Sequence, residues 1–532
     1  MADSQELGKY LGADGVATGG VAAWPARWGR WLRVQPVAAI TLAVLIVGMA
    51  LTIGALPVAY AAALVVGLAI VFSVMVRIDV GLWLLAFAVP FGSIRPIAVG
   101  QLNLTASEFL VALVLAAWLV KGLARRQLRI SLSSGLLSPL LAFFAILLLA
   151  TTTAWSIDAC YKEILRWLEL IVVYMVVSDH VRSARQVVGL VVMMLLAVSA
   201  EALVGFYQFF TQTGPESYIV GRFLRAYGTF SQPNPFAGYL GLVLPVAIGL
   251  ALGGLFRQTL VQKASRGLAY SQGVETTGRT HGGDSHAIMD YEAPRLVALL
   301  ALGAGGLVAL AMLMSLSRGA MLGVAAAAAV MAALASRRTL MAMLVGLLVL
   351  SLILLLGAFN LLPQQLIVRL SQVVQYFGVF DARQVELTSE NWAIVERMAR
   401  WQSAWNMFLD NPLLGVGPGN YAVAYKTYAL PGWSDPLGHA HNFYLNMMAE
   451  TGVLGAGAYL SLVGIWFWHG FRVVRRTSGT ARAMALGLVG VLTASAVHNF
   501  FDNLYVHDMN VQAGLTLGLL TAIGASAESL ES

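Results

Sequence analysis

The sequence predicts an all-α fold, a polytopic membrane helix bundle of about 12–14 transmembrane helices with a large extracytoplasmic helical loop. Three observations carry this expectation. Apolar residues fill 59% of the 532 positions and charged residues 11%, against roughly 25% charge in soluble domains. Mean hydropathy is +0.76, and the apolar residues recur in runs near the roughly 20 residues that cross a hydrocarbon core. No barrel-like alternation appears, which leaves internally bonded helices as the structure that satisfies the backbone in lipid.

Residues 1–35 read as a cytoplasmic segment, with Trp24, Arg27, Trp28, Arg30, Trp31 and Arg33 forming an interfacial cluster before the first apolar run. About fourteen runs follow. Their approximate spans are 36–54, 56–76, 80–94, 105–120, 136–154, 164–178, 186–208, 236–256, 295–315, 319–336, 340–358, 442–468, 484–500 and 510–525. The third and sixth are short, so twelve or thirteen complete spans also fit. Basic clusters at Arg27/Arg30/Arg33, Arg125/Arg126/Arg129, Arg182/Arg185, Arg257/Lys263/Arg266, Arg337/Arg338 and Arg472/Arg475/Arg476 then all fall on one side. By the positive-inside rule that side, with both termini, is cytoplasmic.

The segments group as N-terminal helices (36–256), a cytoplasmic loop (257–294), central helices (295–358), an extracytoplasmic loop (359–441) and C-terminal helices (442–525). The cytoplasmic loop is rich in Gln, Gly, Ser, Thr and His, as linkers are. His281 and His286 lie there without neighbouring ligands. The outer loop carries a helix from Glu390 to Leu409, with an imperfect apolar stripe of Trp392, Val395, Trp401, Trp405 and Phe408. Asn411-Pro412 ends it, and Gly415-Val416-Gly417-Pro418-Gly419-Asn420 makes a tight turn without the Lys-Ser/Thr ending of a phosphate loop.

The unusual polar groups fall on the outer face under this topology. Arg222, Arg225 and Asn234 precede a span, and Arg318 stands between two apolar runs with no acidic residue within ten positions. A charge there is costly unless it is paired or reaches water. Arg318 is therefore either a snorkelling interface residue or a cation lining an external cavity for an anion. Arginines grip phosphate oxygens in pairs of bonds, and two on one face suit a diphosphate. Gly438, His439, Ala440, His441 and Asn442 open a membrane helix, followed by Glu450, Thr451, Gly452 and Gly455. His441 suits a helix-end hydrogen-bond partner or a general base. On a regular helix, His439 and His441 would face different ways. No metal site is expected, because no motif supplies the three or four ligands of zinc. The single cysteine, Cys160, excludes an intrachain disulfide.

Four segments in order resemble the O-antigen ligase and O-antigen polymerase superfamily. They are Arg225-Ala-Tyr-Gly-Thr-Phe-Ser-Gln-Pro-Asn-Pro-Phe-Ala-Gly-Tyr-Leu240, Ser315-Leu-Ser-Arg-Gly319, Arg400-Trp401 through Asn411-Pro-Leu-Leu-Gly-Val-Gly-Pro-Gly419, and His441-Asn442-Phe-Tyr-Leu445 with Glu450-Thr-Gly452 and Gly455. The resemblance covers residues 140–525. It implies a metal-independent, inverting glycosyltransferase of the cytoplasmic (inner) membrane, without cofactor, working on its periplasmic or outer face. Its donor would be an undecaprenyl-diphosphate-linked glycan and its acceptor a hydroxyl of a glycan, lipid or protein. By the same resemblance, Arg225, Arg318 and Arg400 would bind the diphosphate and His441 would activate the hydroxyl. Arg400 is the less secure of these because Arg397 lies one turn away. Arg222, Asn234, His439, Asn442 and Glu450 are further candidates for the substrate site.

Ligase chemistry is the leading expectation, in cell-envelope polysaccharide or lipopolysaccharide biosynthesis. The alternatives are an O-antigen or exopolysaccharide polymerase, a protein O-glycosyltransferase and a bicarbonate or solute transporter. A transporter would show internal repeats and broken helices near the midplane, and no matching halves are found. A structural scaffold gives no reason for the Arg/His set. Nucleic acid is not an expected partner, since the formal charge of +7 is divided among topology clusters and scattered outer sites.

Overall fold

The computed structural model describes residues 57–92, 94, 97–99, 102–126, 135–253, 295–356, 380–388 and 391–531. The segments read as 1–35, 36–54 and 257–294, with His281 and His286, lie outside the described residues. Two compact units divide the chain, Met1–Phe72 and Ser73–Ser532. Described residues of the first form most of α1 (Val58–Val76).

The second unit is helical nearly throughout: α2 (Ile78–Ala88), α3 (Ala106–Ala124), α4 (Leu137–Ala150), α5 (Ile157–His180), α6 (Ala184–Thr211), α7 (Pro233–Gly253, with a turn at 242–243), α8 (Arg295–Ser315), α9 (Arg318–Ala335) and α10 (Arg337–Leu356). Then follow α11 (Trp392–Asp410), α12 (Tyr421–Tyr428), α13 (Phe443–Arg476), α14 (Gly479–His498) and α15 (Met509–Glu531). Two short antiparallel hairpins complete it, Ile97–Val99 with Leu102–Leu104 and Ile219–Val220 with Phe223–Leu224. Eight described helices are long and apolar enough to cross a membrane. Each described apolar run of the sequence coincides with one helix. The sixth run is longer than expected, because Glu163, Arg166 and Glu169 interrupt the apolar pattern of the 24-residue α5 without breaking its helix.

Local chemistry sets the ends. Thr105 with Glu108, and Ser183 with Gln186, form reciprocal capping boxes at α3 and α6. The Asn442 side chain accepts the N–H groups of Tyr444 and Leu445, starting α13. Small residues let helices approach closely: a Cβ on Gly249 would lie 2.5 Å from the Ala483 carbonyl, and one on Gly487 2.7 Å from the Val246 Cα.

Helix directions divide the second unit into two ends. α9 runs from Arg318 toward Arg337, α13 from beside His441 to Arg476, and α5 from Ser156 to His180. Arg482 donates to the Leu334 carbonyl at 3.0 Å, and Arg476 pairs with Glu528. Described members of the basic clusters thus share one end, while Arg225, Arg318, His441 and the loop helices share the other.

At that loop end, α11 and α12 make a small subdomain with two cores. Ala404, Met407, Val416, Tyr421, Ala424, Tyr425, Ala440 and Ala449 form one, and Ala382, Val395, Met398, Ala399, Leu430 and Trp433 the other. The expected loop helix is present as Trp392–Asp410.

The subdomain is stitched into α13 where that helix breaks. Gly452 sits at φ +61°, ψ −163°, outside the helical region. The Gly-rich turn fills the break: the N–H groups of Val416 and Gly417 donate to Ala449 and Glu450, and those of Val453 and Leu454 donate to Pro412 and Leu413. A Cβ on Gly452 would stand 2.3 Å from the Leu413 carbonyl carbon, so this position needs both the left-handed backbone and the missing side chain.

Candidate functional site

Two polar constellations meet at the loop end. The first is a cavity of about 90 Å³ lined by Arg225, Asn234, Arg318, Arg397, His498 and Phe501, among others. That is several times the roughly 10–15 Å³ a cavity needs to admit one water, so the space is hydrated and open to a small polar group.

Arg225 is positioned from below. Gln208, inside the apolar α6, accepts the N–H groups of Tyr227 and Gly228 at 3.1 and 2.7 Å and donates to the Gly228 carbonyl at 2.8 Å. Glu201, also in α6 and fully buried, accepts from the Thr229 N–H at 2.6 Å and its hydroxyl at 3.1 Å. Polar groups inside a membrane helix are expensive and tend to mark function. These two fix the turn that carries Arg225, whose Nε donates to the Ser315 carbonyl at 2.8 Å and whose Nη2 donates to Asn234 at 2.9 Å. Leu316, just ahead of Arg318, has φ +51°, and Arg318 opens α9.

The second constellation centres on Asp502, which is 2% exposed. Its Oδ1 lies 3.4 Å from His441 Nδ1 and 3.6 Å from His439 Nε2. Contrary to the expectation from helical spacing, both imidazoles face one carboxylate, with ring centroids 4.4 Å apart. The reason is local: α13 begins after Asn442, so both histidines lie before the helix, and His441 takes φ +52°. Such strained conformations persist where surroundings enforce them and cluster at functional sites.

The two histidines have different roles. His439 Nδ1 accepts the His441 N–H at 3.1 Å, which assigns its ring proton to Nε2, toward Asp502. A proton on His441 Nδ1, also toward Asp502, leaves His441 Nε2 with the lone pair of a base. Burial pushes the pKa of His439 down to about 4 against the opposing pull of Asp502, so His439 is neutral near pH 7. Burial would raise the Asp502 carboxyl, but His441, His439 and His498 together hold it well below the ordinary range. Asp502 lies one turn beyond His498, a cavity-lining residue, and its N–H donates to the His498 carbonyl at 3.1 Å. His498 thus connects the arginine cavity to the turn that carries Asp502, although neither Asp502 nor His441 is itself in the cavity lining.

His439, His441 and Asp502 also bring three donor atoms within 4.8 Å of one another, a grouping that sequence spacing does not reveal. Three protein ligands are the minimum for a catalytic zinc. With its proton on Nε2, however, His439 presents an N–H to the carboxylate rather than a lone pair to a cation, which leaves two of the three donors.

Other candidates fall outside these constellations. Arg222 is exposed at a hairpin turn, its guanidinium 4.9 Å from the Phe223 ring centroid. Arg400 is 2% exposed and does not line the cavity. It pairs with Glu396 at 3.3 Å and donates to the Asp435 carbonyl at 2.9 Å. The residue one turn earlier, Arg397, is the one α11 turns to the cavity. Asn442 is buried as a helix cap. Glu450 is likewise committed, its two oxygens accepting the Gly419 and Tyr421 N–H groups, each at 2.9 Å. Glu201 and Gln208 are the functional candidates that sequence reasoning missed, and polar residues inside the apolar run of α6 were the available signal; Asp502 and His498 stand out in the sequence as polar groups of the last outer connection, but without a role.

Two comparisons with known proteins bear on the family of this chain. Residues 303–460 match the family model described as O-antigen ligase, a stretch that contains Arg318, Arg397, His439 and His441. The teichuronic acid biosynthesis protein TuaE of Bacillus subtilis (strain 168) is 29% identical over 116 residues, 20% of this chain and 24% of that relative. The similarity thus spans about a quarter of the relative's length. With the apolar helices, these matches support a membrane protein that processes glycans in polysaccharide biosynthesis.

Proposed function

We propose that the protein is an O-antigen ligase-like, inverting glycosyltransferase that moves a glycan from undecaprenyl diphosphate to an acceptor hydroxyl. The observation that carries this reading is the convergence of Arg225, Arg318 and Arg397 on one cavity beside the His441–Asp502 pair. The loop end would face the periplasm or exterior from the cytoplasmic membrane, with the basic end and both termini inside.

In this mechanism the acceptor O–H gives its proton to His441 Nε2 as its oxygen bonds the anomeric carbon. The bond from that carbon to the diphosphate oxygen breaks, and the electron pair leaves on the polyprenyl diphosphate. Attack opposite the leaving group inverts the anomeric centre. The three arginines offset charge gathering on the diphosphate. Asp502 holds the imidazole in the required tautomer and stabilises the imidazolium, the division of labour found in catalytic triads. His439 shares the carboxylate and supports the His441 backbone. No step requires a metal.

The decisive experiment incubates purified protein with an undecaprenyl-diphosphate glycan, separate candidate acceptors and a chelator, and follows products by mass spectrometry. Transfer that survives chelation, and is abolished in both His441→Ala and Arg318→Ala proteins of normal fold, is the expected result. Normal turnover in both variants would overturn the mechanism. The family and biosynthesis matches are equally compatible with a second reading, a polymerase extending lipid-linked chains. Chain extension in the same assay, without transfer to lipid A core, would select it.

A further inference from the structure

At the basic end of the second unit lies a cavity of about 650 Å³ that the transfer mechanism does not use. It is formed where α3 and α5 end and α2 begins. The 24-residue α5 rises about 36 Å from Ser156 to this cavity, so it is a helix length away from the subdomain that docks on Ser156.

Arg77, Lys121, Arg125 and Arg182 line it with two carboxylates, Asp79 and Asp179. Both carboxylates are engaged by the framework. Asp79 meets His180 Nε2 at 3.0 Å and accepts from Gln186 at 2.8 Å. Asp179 accepts from the Trp118 indole at 2.7 Å and from Arg182 at 3.1 Å. Arg77 stands 3.8 Å from Asp79, a loose contact. Lys121 donates to the Val76 carbonyl at 2.6 Å, which leaves two of its ammonium hydrogens for another acceptor. Among the described residues, no carboxylate lies within ion-pair distance of Arg125. The cavity therefore holds a surplus of cations.

We propose that this cavity binds the phosphate-bearing headgroup of an anionic phospholipid. Its volume lies within the roughly 300–1,000 Å³ of small-molecule sites. Basic pockets between spans at the membrane surface suit anionic headgroups. The flank of α3 beside the cavity exposes Val120 and Leu123, 52% and 68% accessible, an apolar surface against which acyl chains can lie. A soluble anion would use the cations and leave that surface unused.

The test titrates the full-length protein in neutral detergent with phosphatidylglycerol and with phosphatidylcholine, reading bound lipid by native mass spectrometry. The expected result is preferential binding of phosphatidylglycerol, which millimolar inorganic phosphate does not displace. Arg77→Gln/Lys121→Gln/Arg125→Gln should weaken it on the order of 100-fold, whereas Arg337→Gln/Arg338→Gln, at another basic cluster, should leave it intact. If the triple variant fails to fold, Arg125→Gln alone should cost on the order of several-fold. Equal binding of the two lipids would overturn the proposal, as would equal loss in the Arg337/Arg338 variant. Displacement by inorganic phosphate would assign the cavity to a soluble anion instead.

Discussion

Replacing Asp502 with asparagine tests the proposed chemistry most sharply, because the change is nearly isosteric and removes one charge. In the resting site that charge sits 3.4 Å from the His441 imidazole, which the proposed mechanism requires unprotonated at Nε2. In the transition state the imidazole has taken a proton, and two unit charges then face each other. At that separation and an effective dielectric of about 20, their attraction is about 5 kcal/mol. Since each 1.36 kcal/mol is about tenfold in rate, a loss on the order of 10³-fold in kcat is expected. His441 is largely buried, with 14% of its side chain accessible, so water recovers little of it. Tautomer control adds in the same direction, because an asparagine turned to present its amide N–H groups would favour the wrong form of His441. The assay is single-turnover transfer from a saturating lipid-linked donor, with donor binding and melting temperature measured on the same preparation. A variant that melts normally, binds donor normally and turns over within about tenfold of the parent would refute the imidazolium argument.

Three further outcomes follow from the geometry. Arg397→Ala should lower kcat/KM for the donor on the order of 100-fold at unchanged melting temperature, whereas Arg400→Ala should cost roughly 2–3 kcal/mol of stability by emptying the buried space that its side chain fills; the reverse pattern in activity and melting assays would reassign the two. His439, held at about 4 in the folded state against an ordinary value of 6.5, binds fewer protons folded than unfolded, so its contribution to stability is present above pH 6.5 and is lost as pH falls toward 4; Asp508, raised to about 6 by burial, acts oppositely, losing stability as pH rises from about 4 to 6. Melting temperature should therefore rise less steeply with pH in His439→Gln and more steeply in Asp508→Asn, and identical slopes in both would count against these assignments. Gly452→Ala, meeting the Leu413 backbone at 2.3 Å with φ +61°, should destabilise on the order of 3 kcal/mol, which thermal unfolding in detergent measures.

Much of the fold was legible because lipid imposes a simple rule: a continuous apolar run must satisfy its own backbone, and helices do so. Even α5, masked by Glu163, Arg166 and Glu169, betrayed its middle. Arg318 was visible for the complementary reason, since it stands out against apolar neighbours. Partnerships were not legible. Nothing in the spacing of His441 and Asp502 indicates that two turns from different segments place them 3.4 Å apart. The choice between Arg397 and Arg400 depends on the rotation of α11 about its axis, which an imperfect stripe with tryptophans on several faces leaves open. Glu450 reads in sequence as a substrate-site candidate, but the subdomain fold, not local sequence, brings the Gly419 and Tyr421 N–H groups to it.

The break at Gly452 has a consequence for how such proteins exchange parts. Four backbone hydrogen bonds tie residues 412–417 to residues 449–454, so a piece of the loop and a piece of the membrane helix form one structural module despite their separation in sequence. A chimera joined at the apparent end of the loop, near His441, would pair one parent's Gly-rich turn with the other's broken helix. Grafts that carry both stretches together should express and fold; grafts that split them should not. The natural seam for transplanting the loop subdomain therefore lies inside the membrane helix, beyond Leu454.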